Sequence, residues 1–421
     1  MEAVVSWLEC KGCNETFDFQ PLLYGCPCCA EKGEVSSLEV RYELGSLDGQ
    51  GIMTAARAAR PPSLWRWSPL LPPVGDRQVT LGEGDTPLVP MQGITEILGV
   101  ARAFVKHEAS NPTGSFKDRL NAVAISMGLH LGFTRATVSS SGNQGVSLGT
   151  YAQVAGMMSV VFTPPYVETR TLTELMLRGV QPVVLSSYDG AALALVDELV
   201  RNHGWYVSSR NFPRPFANPF GLEGYKTIAF EIVEQLGSAP DRVFVPVGGG
   251  DSIYGVWKGF RELLELGAID RAPRMYACQA GGASIVRAVE EDLQHAPEVP
   301  SVDSLAISIR HTQSGDHGIW AVRESKGGAI AVEDGEITEA LVRLGRDGLC
   351  LAPSAAVSVA AALKDAAGGE WDEEETVVCV GTATGLRWSL TFSHLESGVA
   401  RVPRIDPDIE QLNRLLDDLA A

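Results

Sequence analysis

The feature of this sequence that most restricts its fold is a regular alternation of short apolar runs and longer helical runs after about residue 100. The apolar run "RAFVKHEA" precedes the helical run "FKDRLNAVAISMGLHLG", and "ATVSS" precedes "VSLGTYAQVAG". Short buried strands that alternate with helices are typical of βαβ units and of a parallel sheet. The sequence therefore predicts an α/β fold.

A second series of such units begins after the proline-rich stretch "NFPRPFANPF". It includes the strand "DRVFVPVG", a stretch after residue 293 that we interpret as loop-rich, and the final strand "TVVCVGTATG". Two series of units predict two open parallel-sheet lobes. A ligand is then expected in the cleft between them, at the carboxyl ends of the strands.

A chain of 421 residues is long enough for two domains and an appendage. We expect five regions, which differ in their sequence patterns. These are a ribbon-like segment at 1–45, a connector at 46–80, a smaller lobe at 81–212, a larger lobe at 213–405 and a C-terminal helix at 406–421.

Charge and hydropathy exclude several classes of partner. The formal net charge is −18, from 34 basic and 52 acidic residues, and such a surface repels nucleic acid and anionic lipid. There is no uninterrupted apolar run of about 18 residues, the length that spans a membrane. The start "MEAVVSWLECKGC" lacks the basic and apolar segments of a signal peptide, so we expect a cytoplasmic protein.

Five of the eight cysteines crowd into the first 29 residues. Cys10, Cys13, Cys26 and Cys29 form two C-x2-C pairs, the pattern of a closed site that holds a structural zinc or iron ion on four thiolates. Cys28 is an alternative ligand in the second pair. A ribbon that has lost its metal, or redox-active cysteines without one, are the other interpretations.

A lysine follows a turn-forming stretch in "SNPTGSFKDR" and stands at the predicted start of a helix. At this position the helix dipole and burial would both lower the pKa of Lys117, which suits an amine that forms a Schiff base. An ordinary surface lysine beside Asp118 and Arg119 is the alternative.

Two further loops follow predicted strands. The loop "SSSGNQG" (139–145) offers neutral hydrogen bonds to an anionic group, or simply caps a helix. The loop "VGGGDS" (247–252) has the bare backbone amides of a phosphate site, or forms a tight turn. It matches neither the dinucleotide nor the P-loop pattern. A lysine amine, an amide-bearing loop and a phosphate cradle together indicate pyridoxal 5′-phosphate.

The sequence closely resembles the threonine synthase family, which belongs to the fold type II, or tryptophan synthase β-like, pyridoxal-phosphate enzymes. The resemblance spans about residues 80 to 390. It rests on these segments, in order: "LGEGDTPLVP", "KHEASNPTGSFKDR", "SSSGNQG", "NPFGLEGYKTIAFEI" and "VPVGGGDSIYGVWKGF".

The resemblance implies that Lys117 carries the cofactor and then moves protons as general base and acid. The segment "VGTATG" (380–385) aligns with the part of the family that contacts the pyridine nitrogen of the cofactor. A neutral hydroxyl there would leave the ring nitrogen largely unprotonated, which favours elimination and replacement over transamination. The resemblance assigns the phenolic oxygen of the cofactor to Asn143 and its ring nitrogen to Thr382. It assigns the cofactor phosphate to the glycine loop, that is, to Gly248, Gly249, Gly250, Asp251 and Ser252.

A small amino acid is the implied substrate, and a homodimer is the implied assembly, because homodimers are usual in this fold. The substrate-binding residues that the resemblance implies lie in the first two loops. They are Thr113, Ser140, Ser141, Gly142 and Asn143.

The chain departs from the family pattern in four places, one of which is the pair Pro215 and Phe216 where the family has Asn-Ser. Gly221 stands where the family has an arginine that helps to bind the substrate phosphate, and Ala352 stands where it has an acid. Asp251 also places a carboxylate beside the phosphate cradle. The nearby candidates to replace the missing cation are Arg214, Arg310 and His311.

The first functional hypothesis is therefore a threonine synthase-like enzyme that converts O-phosphohomoserine to threonine and phosphate. The second is a β-eliminating or β-replacing enzyme of the same fold. It would be an ammonia-lyase for a hydroxy- or diamino acid, or would use phosphoserine as cysteate synthase does. The third is a non-catalytic relative, against which the intact Lys117, Asn143 and glycine loop argue.

Overall fold

The structure is a computed structural model, and it describes residues 4–187, 190–210, 216–281, 283–300, 303–369, 371–387, 409–411 and 414. The strands are β1 (Ser6–Cys10), β2 (Thr16–Phe17), β3 (Leu38–Tyr42), β4 (Leu88–Pro90), β5 (Arg102–Lys106), β6 (Arg135–Ser139), β7 (Met158–Thr163), β8 (Gln181–Val184), β9 (Tyr206–Val207), β10 (Ser209–Arg210), β11 (Phe216–Ala217), β12 (Arg242–Pro246), β13 (Arg274–Ala280), β14 (Gly328–Val332) and β15 (Thr376–Val380).

Helices follow most of these strands. They are α1 (Pro27–Ala30), α2 (Gly49–Ala58), α3 (Gln92–Leu98), α4 (Lys117–His130), α5 (Asn143–Val154), α6 (Thr169–Leu177), α7 (Gly190–His203), α8 (Pro219–Leu236), α9 (Asp251–Glu265), α10 (Ser284–Glu290), α11 (His317–Glu324), α12 (Asp334–Arg346) and α13 (Pro353–Gly368). None of the helices within the described ranges has the length and apolar character needed to cross a membrane.

Two sheets form the body of the protein. The larger has the order β14-β13-β12-β15-β5-β4 and is parallel except for the edge strand β4. The smaller has the order β8-β7-β6-β9 and is entirely parallel. The predicted α/β class with two open parallel-sheet lobes is confirmed.

The chain contributes to the larger sheet both before and after it builds the smaller one. Strand β5 pairs with β15, and Val105 lies opposite Cys379. The sequence prediction placed residues 81–212 in the smaller lobe, but β4 and β5 belong to the larger sheet. The partner of a strand depends on contacts with distant residues, which the local pattern does not contain. The other region boundaries stay predictions.

The stretch after residue 293 that we interpreted as loop-rich contains α11, β14 and α12, so that interpretation was wrong. Strand β14 begins at Gly328, directly after Gly327, and gains its hydrogen bonds from β13. Helix α12 did carry a sequence signal, because Ile337, Ala340 and Leu344 are buried at helical spacing. The predicted C-terminal helix lies outside the described residues except for 409–411 and 414, which are helical.

Helix α8 lies between α4 and α9 and brings their first turns to one place. A Cβ atom on Gly224 would lie only 1.9 Å from the carbonyl oxygen of Arg119 in α4. A Cβ atom on Gly259 would lie 2.4 Å from the carbonyl oxygen of Lys226 in α8. Glycine is required at both positions because the helix backbones touch. The close packing holds Lys117 and Asp251, which begin α4 and α9, in a fixed relation.

The N-terminal segment forms a three-stranded antiparallel sheet with the order β2-β1-β3 and packs on α8 and α9. Glu39 of β3 accepts a hydrogen bond from Tyr254 at 2.5 Å and pairs with Arg261 at 3.2 Å. Tyr42 donates to Glu223 at 2.7 Å. These contacts bury charged groups between the ribbon and the larger lobe.

The ribbon contact should weaken in acid. Burial alone would raise the pKa of Glu39, but Arg261 and Lys258 lower it to about 2 from its ordinary 4.5. The folded state therefore binds fewer protons than the unfolded state, and the contribution to stability is complete above about pH 4.5 and is lost as the pH falls toward 2. A shift of this size corresponds to on the order of 3 kcal/mol.

Glu39→Gln should lower the melting temperature at pH 7, and the difference from the wild type should disappear as the pH approaches 2. Thermal unfolding of both proteins across this range is the measurement. An equal difference at pH 7 and pH 3 would show that Glu39 does not carry this part of the acid sensitivity.

Candidate active site

The groups predicted to bind the cofactor come together at the carboxyl ends of neighbouring strands. Strands β5, β15 and β12 are adjacent in the larger sheet, and Lys117, Thr382 and Gly248 follow them in that order. The segment Ser140–Asn143 follows β6 of the smaller sheet. The candidate site therefore takes its residues from loops that follow strands of both sheets, and ligand sites at the carboxyl ends of strands are expected in open α/β folds.

The lysine loop is joined directly to the segment after β15. The Phe116 amide donates to the Thr382 carbonyl at 2.9 Å, and the Thr384 amide donates to the Gly114 carbonyl at 2.9 Å. Gly114 has φ +73°, and a Cβ atom there would lie 2.8 Å from the Thr384 methyl carbon. The loop needs glycine at this position because the two segments approach so closely.

Lys117 is the first residue of α4 and is partly buried against two aromatic rings. Its Nζ donates to the Tyr225 hydroxyl at 3.0 Å and lies 4.8 Å from the centre of the Phe116 ring. Phe116 and Tyr225 stack at 4.9 Å, which fixes both rings. Burial lowers the pKa of Lys117, although the nearby Asp251 acts in the opposite direction. A lowered pKa increases the fraction of neutral, nucleophilic amine.

The glycine loop after β12 has the shape of an anion cradle. Gly250 has φ +109°, and a Cβ atom there would lie 3.0 Å from His317 Nε2 and 3.1 Å from the Gly318 amide nitrogen. At Gly248 a Cβ atom would lie 2.9 Å from the His311 ring. Side chains are thus excluded, and the first turn of α9 presents backbone N–H groups beside the loop. These residues fit the phosphate of the cofactor.

Asp251 does not block this cradle with its carboxylate, because the side chain pairs with a histidine. Asp251 Oδ1 lies 2.7 Å from Nε2 of His317, which is buried at the start of α11. Burial alone would raise the pKa of Asp251, but His317 and Lys117 lower it, so the group stays ionised. The Ser252 hydroxyl donates to the Pro246 carbonyl at 3.2 Å, and the Gly249 carbonyl accepts from Gly315 at 2.7 Å.

The loop after β6 is held by its own hydrogen bonds. Ser140 Oγ accepts from the amides of Gly142 at 3.1 Å and Gly145 at 2.9 Å, which caps α5. Ser141 is partly exposed, and Asn143 is buried as the first residue of α5. The candidate carboxylate site therefore offers the Ser141 hydroxyl and the backbone of this loop.

Thr113 uses its amide and its hydroxyl in buried hydrogen bonds to Asp118. Its amide and its hydroxyl both donate to the Asp118 carboxylate at 2.6 Å, and Ser147 donates to the same carboxylate at 2.6 Å. Burial raises the pKa of Asp118 despite these hydrogen bonds. Thr113 holds the loop in shape, and its predicted contact with substrate stays a prediction.

Two of the positions that depart from the family pattern, Gly221 and Ala352, lie in closely packed surroundings. A Cβ atom on Gly221 would lie 3.0 Å from Leu120 Cγ and 3.2 Å from the Ala124 methyl carbon, so the position faces α4 tightly. Ala352 is buried, and its amide donates to the Ala383 carbonyl at 3.0 Å. The acid that the family has at this position would therefore lie beside the segment assigned to the cofactor ring.

The three candidates for the missing cation differ in their surroundings, and neither of the two that the structure describes supplies a free positive charge. Arg214 lies outside the described residues, and Arg310 pairs with the exposed Asp303 at 2.5 Å. His311 lies against Gly248, but burial and Lys117 lower its pKa to about 4 from 6.5, even though Asp251 acts in the opposite direction. His311 is therefore neutral at neutral pH and does not supply the missing positive charge.

Three residues of the site were missed by sequence reasoning. Tyr225 lies within the quoted segment "NPFGLEGYKTIAFEI", so a signal was present, but the pattern does not say that its hydroxyl reaches Lys117. His317 and Arg387 carried no local signal. Each reaches the site through a contact across more than 60 positions of sequence, His317 with Asp251 and Arg387 with Asn143.

The cysteines of the ribbon converge on one point. The sulfur atoms of Cys10 and Cys29 lie 3.7 Å apart, those of Cys13 and Cys26 lie 3.6 Å apart, and all four lie within 4.8 Å of one another. Cys28 is not part of this cluster. A tetrahedron with Zn–S bonds of about 2.3 Å has sulfur–sulfur edges of about 3.8 Å, so the arrangement suits a metal ion.

Comparisons with known proteins agree with this geometry. The family model described as "Pyridoxal-phosphate dependent enzyme" matches residues 79–383. Threonine synthase from Methanosarcina acetivorans is 34% identical over 391 residues, which cover 90% of this chain and 92% of that protein. Threonine synthase from Methanocaldococcus jannaschii is 33% identical over 388 residues, with the same two coverages. This chain belongs to the threonine synthase family.

The family's fold is also found among solved structures. The processed form of threonine deaminase isoform 2 from Solanum lycopersicum aligns with a TM-score of 0.64 and 20% identity, over 85% of this chain and 90% of that one. At this identity the likeness concerns the fold alone. It confirms that this threonine synthase family member has a fold type II architecture.

Proposed function

We propose that the protein is a pyridoxal-phosphate-dependent enzyme that converts O-phosphohomoserine and water to threonine and phosphate. The observation that carries the proposal is the similarity to threonine synthases, which covers 90% of the chain. The site supports it, since an amine, an amide and a glycine cradle meet at one cleft. Lys117, Asn143, Thr382 and residues 248–252 would hold the cofactor.

The bound cofactor would supply an electron sink for the carbanion formed when a proton leaves the substrate. Lys117 Nζ is the group that would take and return protons, and the hydroxyl of Tyr225, 3.0 Å away, orients it. The backbone amides at the start of α9 would bind the cofactor phosphate. Thr382, which is buried, would face the ring nitrogen with a neutral hydroxyl that does not protonate it.

The purified holoprotein should release phosphate from O-phosphohomoserine, and NMR should identify threonine as the product. Phosphate release in step with threonine formation is the expected result. A holoprotein with normal cofactor absorbance but no phosphate release would contradict the proposed substrate. The second hypothesis would then be tested with phosphoserine, hydroxy- and diamino acids by measuring ammonia or phosphate.

That second hypothesis is favoured by one observation, the tight packing of Gly221 against α4 in place of a phosphate-binding arginine. Among the candidate residues that the structure describes, Arg310 is paired on the surface and His311 is neutral. Loss of a guanidinium from a phosphate pocket is costly, because arginine binds phosphate through two parallel hydrogen bonds.

We also propose that Cys10, Cys13, Cys26 and Cys29 bind one structural zinc ion. Four thiolates complete a tetrahedral site and leave no position for substrate, so the metal would stabilise the ribbon rather than act in catalysis. The ribbon packs on α8 and α9. Unfolding of the ribbon after loss of the metal would expose the buried groups at that contact.

Metal analysis of purified protein should find one zinc ion for each chain. Cys26→Ser removes one of the four ligands and should lower zinc occupancy at least about tenfold, with a lower melting temperature. Cys28→Ser is the matched control, because Cys28 lies two residues away but outside the cluster. Equal zinc loss in both variants, or wild-type protein that holds no zinc, would contradict the assignment.

A homodimer and a cytoplasmic location stay predictions. Light scattering coupled to size-exclusion chromatography measures the first, and a monomeric mass for active holoprotein would contradict it.

A further inference from the structure

Arg387 is a buried arginine in the candidate active site that no sequence motif singled out. It lies five positions after Thr382 and is 8% exposed. Its guanidinium joins three separate parts of the chain. It donates to the side-chain oxygen of Asn143, to the carbonyl oxygen of Thr113, and to the Glu174 carboxylate through two hydrogen bonds of 3.1 Å.

The chemistry of these groups determines which way the Asn143 amide faces. A guanidinium has only N–H donors and cannot accept a hydrogen bond. Asn143 must therefore present its carbonyl oxygen to Arg387, and its NH2 group must point away from Arg387. Asn143 is buried at the first position of α5, so its amide has little freedom to turn by other means.

The arginine is already neutralised and largely satisfied by the protein. Four hydrogen bonds use four of its five N–H groups. Glu174 supplies the compensating negative charge and also pairs with Arg178 at 3.0 Å. A substrate anion would have to compete with Glu174, so this geometry suits a residue that holds others in place.

We propose that Arg387 is a positioning residue that turns the NH2 group of Asn143 toward the phenolic oxygen of pyridoxal phosphate. This inference rests on the proposed role of Asn143 in binding the cofactor. An amide NH2 group donates to a phenolate oxygen, whereas a misplaced amide carbonyl would repel it. By its bond to Thr113, Arg387 also ties the lysine loop to α5.

The test measures the cofactor and needs no substrate. Arg387→Met removes every donor at similar length and should raise the dissociation constant of pyridoxal phosphate at least about tenfold, as expected when a hydrogen bond to a charged group is lost. The pH dependence of the absorbance spectrum of the bound cofactor should also differ between this variant and the wild type. Arg387→Lys keeps a charged donor and should recover part of the affinity.

Two controls separate positioning from a general structural role. Arg178→Met removes the other cation of Glu174 without touching Asn143, and should leave cofactor affinity and absorbance unchanged. In an Asn143→Ala background, Arg387→Met should have little further effect on affinity, because the amide that it orients is gone.

The proposal is overturned if Arg387→Met weakens the cofactor equally with and without Asn143, or if it leaves both affinity and absorbance at wild-type values. A rise in KM with unchanged cofactor affinity and absorbance would assign Arg387 to the substrate and also overturn it. If Arg387→Met does not fold, the same cycle is run with Arg387→Lys. Failure of O-phosphohomoserine as substrate cannot cause any of these results, because the cofactor measurements use no substrate.

Discussion

Lys117→Ala is expected to lower turnover by about 10³-fold or more, because it removes both the attachment point of the cofactor and the group that moves protons. The amine is held for this purpose by Tyr225 at 3.0 Å and by the stacked ring of Phe116. The variant should still bind pyridoxal phosphate weakly, since the glycine cradle is intact, but without the absorbance of the covalently attached cofactor.

Turnover and the absorbance of the bound cofactor, measured on the same sample, provide the test. Borohydride reduction of wild-type holoprotein should fix the cofactor on the peptide that contains Lys117, as read by mass spectrometry. Lys117→Arg is the matched variant, because it keeps a positive charge but lacks a primary amine, and it should be equally inactive. Normal turnover in either variant, or cofactor fixed on another peptide, would show that the assignment is wrong.

Arg119→Met is expected to lower the free energy of unfolding by about 3–5 kcal/mol, the usual cost of breaking a buried ion pair from one side. Arg119 is fully buried and pairs with Glu108 at 2.7 Å and with Glu231 at 2.7 Å. Lys106 pairs with Glu231 at 2.7 Å from the other side. Without the guanidinium, Glu108 would lose its cation, and two buried carboxylates would compete for one lysine.

Urea unfolding at neutral pH measures this loss. The matched control is Arg343→Met, which breaks an exposed pair with Glu339 on α12 and should change the free energy by less than about 0.5 kcal/mol. A similar small change for both variants would show that the buried network contributes no more than a surface pair. Because Arg119 lies two residues after Lys117, cofactor content should also fall on heating in the Arg119 variant.

The fold class was predictable because it follows from local pattern. Alternating apolar and helical runs identified the parallel sheets, whereas β14 was missed because it begins at a glycine pair and depends on pairing with β13. The loops with Lys117, Asn143 and Gly248 were also visible, since glycine, hydroxyl and amine groups after strands suggest their chemistry before any distance is known.

The sequence by itself determined the α/β class, the pyridoxal-phosphate loops and the cysteine ribbon. Each of these features depends on residues that are consecutive or only a few positions apart in the chain. Tertiary structure decided that β5 belongs to the larger sheet, that His317 holds the Asp251 carboxylate, and that Arg387 reaches Asn143. The physical reason is that strand pairing and buried charge compensation depend on residues that become neighbours only when the chain folds.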